Sequence, residues 1–166
     1  DPGDVLIQND PYAGNNHLPD FVMAEPVFVD GDLLGFSAVR AHWVDVGGSS
    51  PTSYSTATGE IVKEGLRVPP AKLHDAGEPN DALRETILAN TRDRGERLGD
   101  MQAQLAGVKR GRDRLADLAE DHGPATLAAG MAAVLGNDER RMRRKVADLP
   151  NGTYRVTDYM DGDGMT

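Results

Sequence analysis

Residues 22–40 read VMAEPVFVDGDLLGFSAVR, with an apolar run on either side of Asp30-Gly31-Asp32. An Asp-Gly pair between two runs of strand length is typical of a β-hairpin, because both residues tolerate the positive φ that a tight turn requires. We therefore predict antiparallel strands over residues 22–29 and 33–40. Pro26 has no amide hydrogen to donate, so we expect the first strand at a sheet edge or at a bulge.

All the strand-like runs that precede the helices lie in residues 1–79. Residues 4–8 form a short apolar run closed by a turn, which predicts a buried strand. The two prolines after Val68 predict extended backbone over residues 64–70, because a residue before proline avoids the helical region. We expect His74 in a surface loop.

Residues 80–149 have helical character. Asn80 is a suitable N-cap for the first helix, and Thr91 is a candidate cap for the second and longest one. Apolar positions along the longest helix form a coiled-coil-like seam that Arg112 interrupts. Gly123-Pro124 is expected to end this helix, with His122 at its C-terminus. The predicted helices cover residues 81–90, 94–121, 126–135 and 138–147.

The composition narrows the classes of function. The 166 residues include 27 acidic and 18 basic ones, for a net charge of −9, and contain no cysteine. An acidic surface repels a phosphate backbone, so no nucleic-acid partner is expected. Disulfides and thiolate metal sites are excluded. No apolar run approaches the roughly 20 residues that span a bilayer, so we expect no membrane partner and a cytoplasmic location.

Residues 9–20 read NDPYAGNNHLPD, a turn-rich stretch that ends with His17 and Asp20. Pro19 keeps the residue before it out of the helical region, so we expect the pair on an extended turn. His42 follows the second hairpin strand. Two imidazoles and one carboxylate suit Zn²⁺, Mn²⁺ or Fe²⁺, and three protein ligands leave positions open for water or substrate. We predict a metal site of these three residues, with a surface histidine bonded to a backbone carbonyl as the alternative for His17.

Asp45 lies three residues after His42 and repeats the His-x-x-Asp spacing of the first loop. A carboxylate there could ligate the metal, orient an imidazole through a hydrogen bond, or form a turn. We predict that Asp45 takes part in catalysis as an orienting residue, with turn formation as the alternative. The Gly/Ser/Thr-rich residues 46–56 are interpreted as a site loop.

These patterns predict an α+β fold. Its N-terminal part, residues 1–79, is β-rich and carries the hairpin and the metal-site loops. A helical part with one long helix follows at residues 80–149, and a strand at residues 154–159 opens a further segment, residues 150–166. The N-terminus is neither a signal peptide nor a natural start, so we expect a single internal fragment of a longer chain.

Short motifs run from the N-terminus to the long helix. They are Gly3-Asp4-Val5, Asn9-Asp10-Pro11-Tyr12-Ala13-Gly14, His17-Leu18-Pro19-Asp20, Arg40-Ala41-His42, Asp45-Val46-Gly47-Gly48, Glu64-Gly65-Leu66-Arg67-Val68-Pro69-Pro70 and Arg97-Leu98-Gly99-Asp100. Together they resemble the hydantoinase B / 5-oxoprolinase family, over essentially the whole chain. That family includes the B subunits of ATP-dependent N-methylhydantoinases and oxoprolinases, caprolactamase, and related subunits of acetone and acetophenone carboxylases.

The resemblance implies a metal-dependent hydrolase. Zinc or manganese would be held by the His-x-x-Asp pair and the later histidine, which fall on His17, Asp20 and His42, and by an acidic ligand upstream of Asp1. A hydantoinase A-type partner subunit would use ATP to phosphorylate the carbonyl oxygen of a cyclic amide. The B subunit would then complete hydrolysis of this lactam, hydantoin or oxoproline, so a hetero-oligomer is expected.

Three other classes of function stay open. A ketone carboxylase subunit would share the same metal site. An Fe²⁺ oxygenase would use the same three ligand types. A non-catalytic scaffold would use the long glycine-bearing helix to dock a partner subunit.

Overall fold

The computed structural model describes residues 1–53 and 59–159. Within these residues five strands precede three helices, which confirms the predicted α+β class. The strands are β1 (Val5–Gln8), β2 (Asp20–Val29), β3 (Asp32–His42), β4 (Ala71–Asp75) and β5 (Glu78–Pro79). The helices are α1 (Asp81–Ala89), α2 (Arg94–His122) and α3 (Pro124–Ala147).

The strands form one antiparallel sheet in the order β3-β2-β1-β4-β5. The predicted hairpin is β2 and β3, which pair from Asp20 opposite His42 to Val29 opposite Asp32. Both strands extend beyond their predicted limits. The turn between them places Asp30 at φ 53° and Gly31 at φ 89°, as a tight two-residue turn requires.

Pro26 was expected at a sheet edge or at a bulge, and the edge is excluded because β2 lies between β1 and β3. The pairing of β1 with β2 reaches only from Val22 to Ala24, so the missing amide of Pro26 costs no hydrogen bond on that side. The bulge alternative fits, since the register of β2 and β3 shifts between Val27 and Phe28.

Helix α2 packs across one face of β2 and β3. Two glycines of α2 lie against β3: a Cβ on Gly107 would be 3.1 Å from Val39 Cγ2, and a Cβ on Gly111 would overlap Ser37 Oγ. Small residues at these positions allow the close approach of helix and sheet. The core of this layer includes Phe21, Met23, Val27, Trp43, Met101 and Val108.

The helix starts are set by side-chain caps. The predicted cap of α1 is confirmed, because Asn80 Oδ1 accepts from the amide of Leu83 at 3.1 Å. The predicted Thr91 cap of α2 is wrong: Thr91 Oγ1 instead donates to the carbonyl of Leu88 at the end of α1. Asp93 caps α2 by accepting from the amide of Glu96 at 3.0 Å.

Residues 124–147 form the single helix α3, so the prediction of two helices with a break at Gly136-Asn137 is wrong. Pro124 occupies the first helical position, where its missing amide hydrogen costs nothing. A glycine inside a helix costs only about 1 kcal/mol against alanine, and residues 125–147 contain no proline that would stop the helix.

The prediction of a surface loop at His74 is also wrong. His74 lies in β4, opposite Val5 of β1 and Pro79 of β5. Ala76 at φ 49° and Gly77 at φ 94° turn the chain between β4 and β5. Polar and apolar residues do not alternate over these short strands, so the sequence pattern does not predict their hairpin.

The predicted strand at residues 154–159 does not form, since the backbone described there is irregular. Residues 160–166 of the last segment, and residues 54–56 of the predicted site loop, lie outside the described residues. The chain divides into two compact units, Asp1–Ala128 and Ala129–Thr166. The second contains most of α3, with Leu135 and Met142 among its exposed apolar side chains. Among the helices described, none is both long and apolar enough to cross a membrane.

Candidate metal centre

The loop that carries His17 and Asp20 is anchored between these two residues. Leu18 is fully buried. The side-chain amide of Asn9, also fully buried, donates to the carbonyl of Leu18 at 2.7 Å. The Asn9 oxygen accepts from the amide of Val68 at 2.6 Å. Asn9 therefore ties the loop to the chain around Val68, and the buried anchor lies between the two candidate ligands.

Asn15 braces the same loop from the other side. Its side-chain nitrogen donates to the carbonyl of Asp20 and, at 3.4 Å, to the carbonyl of His17. Its Oδ1 is buried and has no hydrogen-bond partner in the part of the chain that the structure describes. One amide group thus fixes the backbone of both candidate ligands.

His42 is the last residue of β3 and lies opposite Asp20, the first residue of β2. The next residue, Trp43, is fully buried. Its indole donates to Gln104 Oε1 of α2 at 2.8 Å, and its ring stacks on Phe21 at 4.1 Å between centroids. These contacts lock the end of β3, so the position of His42 is set by sheet register and by a buried anchor.

The fold brings His17, Asp20 and His42 together, although 22 positions separate Asp20 from His42. Asp20 Oδ2 is 3.5 Å from His17 Nδ1, and Asp20 Oδ1 is 3.1 Å from His42 Nδ1. The two imidazole centroids are 5.2 Å apart. One ligand atom from each side chain lies within 4.8 Å of the others. The Asp20 side chain is only 13% exposed, whereas both histidines are about two-fifths exposed, at 38% and 40%.

This donor set fits a divalent cation. Nitrogen and oxygen ligands about 2.1 Å from one ion stand roughly 3 to 3.5 Å apart, as the two Asp20–histidine separations do. His17 Nδ1 is buried and makes no hydrogen bond to any described residue, which is the state of a nitrogen that offers its lone pair to an ion. Two imidazoles and one carboxylate suit Zn²⁺, Mn²⁺ or Fe²⁺.

The whole chain, residues 1–166, matches the family described as Hydantoinase B/oxoprolinase. The chain belongs to this family. It is 33% identical over 162 residues to the beta chain of the caprolactamase of Pseudomonas jessenii, a match that covers 98% of this chain and 28% of that protein. It is 34% identical over 161 residues to a protein of Pseudomonas sp. (strain NS671) named as the putative B subunit of a D-/L-hydantoinase, covering 96% of this chain and 27% of that protein.

The fold also has a solved counterpart. The crystal structure of the ATP-dependent caprolactamase from Pseudomonas jessenii superposes with a TM-score of 0.85 at 33% identity. The match covers 92% of this chain and 26% of that one. The chain thus spans about a quarter of the length of these relatives.

Asp45 follows Trp43 by two residues, and its carboxylate accepts hydrogen bonds from the loop that it begins. Its Oδ1 accepts from the amide of Gly47 at 2.9 Å, and its Oδ2 accepts from the amide of Thr52 at 3.1 Å and from the guanidinium of Arg92 at 2.7 Å. Burial raises the pKa of this carboxyl, but the hydrogen bonds from Gly47 and Arg92 outweigh it and hold the pKa below its ordinary value. The bond from the Gly47 amide closes an Asx turn, which is the alternative role that the sequence left open for Asp45.

Arg92 completes this turn from the segment between α1 and α2. Its guanidinium donates to the carbonyls of Gly47 at 3.2 Å, Gly48 at 2.6 Å and Ser50 at 3.1 Å. It therefore holds the loop that follows His42 in one shape. Sequence reasoning assigned no role to Arg92, because the carbonyls that it binds are more than 40 positions away.

Three further residues around the site were missed, namely Asn9, Asn15 and Gln104. Only Gln104 gave a usable signal, since it is a polar residue on the apolar side of the predicted long helix and needs a buried partner there. His122 lies at the end of α2, as predicted. Neither His122 nor His74 belongs to the cluster of candidate ligands found among the described residues.

Proposed function

We propose that this chain is part of the metal-dependent B subunit of an ATP-dependent hydrolase that opens cyclic amides. The observation that carries the proposal is the convergence of His17, Asp20 and His42 in a chain of the hydantoinase B/oxoprolinase family. The substrate class is a lactam, hydantoin or oxoproline, in keeping with the names of the relatives. A hydantoinase A-type partner uses ATP to phosphorylate the carbonyl oxygen before hydrolysis.

Three residues of this chain form the proposed metal site, and one of them has a second role. His17, Asp20 and His42 would hold a divalent cation, Zn²⁺ or Mn²⁺ and alternatively Fe²⁺, which would supply positive charge to polarise the reacting carbon–oxygen centre and to activate water. Asp20 faces both imidazoles, so it also fixes their orientation. The register of β2 against β3 preorganises the three side chains, which lowers the cost of assembling the site.

The reaction itself balances as a hydrolysis. Water adds at the activated carbonyl carbon, the ring C–N bond breaks, and the nitrogen leaves with a proton as an amine. The product of this step is an acyl phosphate. A second water then hydrolyses this acyl phosphate, which gives a carboxylate and releases the phosphoryl group as inorganic phosphate. We propose that Asp45 serves this reaction by holding the loop after His42, and that the hetero-oligomer acts in the cytoplasm.

The test uses the full-length protein together with its A-type partner. Metal content by mass spectrometry and ATP-dependent lactam cleavage are measured for the wild type, His17→Ala, His42→Ala and the control His122→Ala. We expect about one zinc or manganese per wild-type chain, loss of metal and of cleavage in the two site variants, and no change in the control. Retained metal and activity in both site variants would overturn the proposal. Turnover of a ketone with bicarbonate instead of a lactam would replace hydrolysis by carboxylation.

A further inference from the structure

The sheet of the first unit has two unlike faces. Phe21, Met23 and Glu25 of β2 are buried on the face that α2 covers. Because side chains alternate along a strand, Asp20, Val22 and Ala24 lie on the opposite face. The candidate metal ligands Asp20 and His42 therefore belong to the face that α2 leaves open.

Arg40 lies on this open face, next to the metal site. It precedes His42 by two residues in β3 and pairs with Val22 of β2. Residues two apart on a strand are about 6.6 Å apart and share a face, so a guanidinium at this position is within reach of a small molecule held at His42. Its side chain is exposed, and it stands on a paired strand rather than on a loop.

Arg40 has no carboxylate partner among the described residues. In the unit Asp1–Ala128, every other arginine except Arg110 forms an ion pair with an acidic side chain, as Arg92 does with Asp45 and Arg112 with Glu25. The chain has 27 acidic and 18 basic residues, so an arginine on an ordered strand that meets no described carboxylate is unusual.

The neighbours of Arg40 on the open face do not neutralise the positive charge of its guanidinium. Val22 lies opposite it, and Gln8 of β1 pairs with Val22. Asp20, diagonally across the ladder, is the acidic neighbour at this end of the face, and its two oxygens already approach His17 and His42. Once a divalent cation joins Asp20, the site carries net positive charge beside the guanidinium of Arg40.

We propose that Arg40 binds an anionic oxygen group, a carboxylate or a phosphate, on the molecule held at His17, Asp20 and His42. The planar guanidinium matches both groups through two parallel hydrogen bonds. The inference rests on the proposed function, which supplies two sources of such a group: the ring carboxylate of a substrate such as 5-oxoproline, or the phosphoryl group added by the partner. Arg40 is then a substrate-binding residue that distinguishes charged from neutral lactams in the first case.

The test compares Arg40→Gln with the matched control Arg110→Gln, an exposed arginine on α2 that meets no described carboxylate either. The full-length protein with its partner is assayed with 5-oxoproline and with caprolactam, and binding of 5-oxoproline and of inorganic phosphate is measured by calorimetry. If Arg40 binds the substrate carboxylate, Arg40→Gln raises the KM and Kd for 5-oxoproline by 10-fold or more and leaves caprolactam turnover unchanged. If it binds the phosphoryl group, kcat for both lactams falls by 10-fold or more and phosphate binding weakens equally.

Arg40→Lys refines the result, because a lysine restores charge without the two-pronged geometry, and it should recover only part of the loss. The assignment of Arg40 would be overturned, with the proposed function left intact, if Arg40→Gln kept the KM and Kd for 5-oxoproline, the kcat for both lactams and the affinity for phosphate all within about 2-fold of wild type. A wild-type complex that contains no metal and cleaves neither lactam would instead overturn the proposed function. The calorimetric comparison would then decide the role of Arg40 by itself.

Discussion

Asp20 and His42 are directly opposite each other in the β2–β3 ladder, at the open end of the hairpin, with Asp20 Oδ1 3.1 Å from His42 Nδ1. The hairpin register therefore sets the candidate metal site, and the ten-residue β2 connects it rigidly to the Asp30-Gly31 turn. Because the Asp20 carboxylate lies next to both imidazoles, we expect its substitution to weaken metal binding most among the three candidate ligands.

Asp20→Asn should lower metal affinity by about 100-fold or more, because the amide keeps the size of the side chain but loses the charge that binds a divalent cation. Affinity is measured by competition with a chromogenic chelator, using the full-length chain. The control is Asp32→Asn, an exposed aspartate at the start of β3. Equal metal affinity in the two variants would show that Asp20 is not a ligand.

Gly111→Ala should lower the free energy of unfolding by about 1–3 kcal/mol, because the added Cβ overlaps Ser37 Oγ and lies 3.2 Å from Ser37 Cβ. Gly99→Ala is the matched control on the same helix, since a Cβ there meets nothing within 4 Å. The control should gain about 0.5–1 kcal/mol from helix propensity. Urea unfolding measures both, and a gain in stability for Gly111→Ala would contradict the close packing of α2 on β3.

The sequence was informative where a pattern is local. The Asp30-Gly31 turn and the flanking apolar runs predicted the hairpin, and Asn80 predicted the start of α1, because each signal acts within a few residues. The two loops with His17 and His42 were predicted to meet on the basis of ligand chemistry and family resemblance. Periodicity alone would not have brought them together.

The failures have physical causes that lie far along the chain. Pro26 is tolerated in a central strand because β1 ends its pairing before that position, a fact that no local pattern contains. Arg112 appeared to interrupt an apolar seam, whereas it pairs with the buried Glu25 of β2. Asn9 reaches carbonyls and amides on two separate segments, which the sequence could not show.

The Glu25–Arg112 pair provides a second stability prediction. Glu25 is 1% exposed and its Oε2 has no hydrogen-bond partner among the described residues, so Arg112 is its main compensation. Arg112→Met should cost about 2 kcal/mol, less than a fully buried pair would, since the arginine side chain is 37% exposed. The double variant Glu25→Met/Arg112→Met should be more stable than Arg112→Met alone, because no buried charge is left. A double variant less stable than the single one would contradict this explanation.

His74 should make the stability depend on pH. Burial, and then the positive charge of Lys109, lower its pKa from the ordinary 6.5. The unfolded state therefore binds more protons than the folded state once the pH falls below that ordinary value, and stability decreases on acidification. The amide of Ala76 and Lys72 hold the pKa of the Asp4 carboxyl well below its ordinary value. Carboxylates of this kind change the stability only at a lower pH than His74 does.

The corresponding measurement is urea unfolding of metal-free protein between about pH 7.5 and 5, a range that brackets the ordinary pKa of histidine. We expect the wild type to lose stability over this range and His74→Gln to lose less, because glutamine cannot take up the proton. His122→Gln, at the exposed end of α2, should follow the wild type. Parallel curves for all three proteins would rule out His74 as the cause.

Substitutions in the Asp45–Arg92 ion pair distinguish the two roles considered for Asp45. If Asp45 acts by holding its loop, then Asp45→Asn and Arg92→Lys should each speed hydrogen exchange over residues 46–53. Lysine cannot replace the guanidinium, which donates to Asp45 and to the three carbonyls of Gly47, Gly48 and Ser50. Metal affinity should stay within about 3-fold of wild type in both variants, since neither side chain is among the candidate ligands.

If Asp45 instead orients His42, Asp45→Asn should weaken metal binding by about 10- to 100-fold while Arg92→Lys does not. Exchange and metal affinity measured on the same samples therefore decide between a turn that shapes the loop and a carboxylate that orients the imidazole.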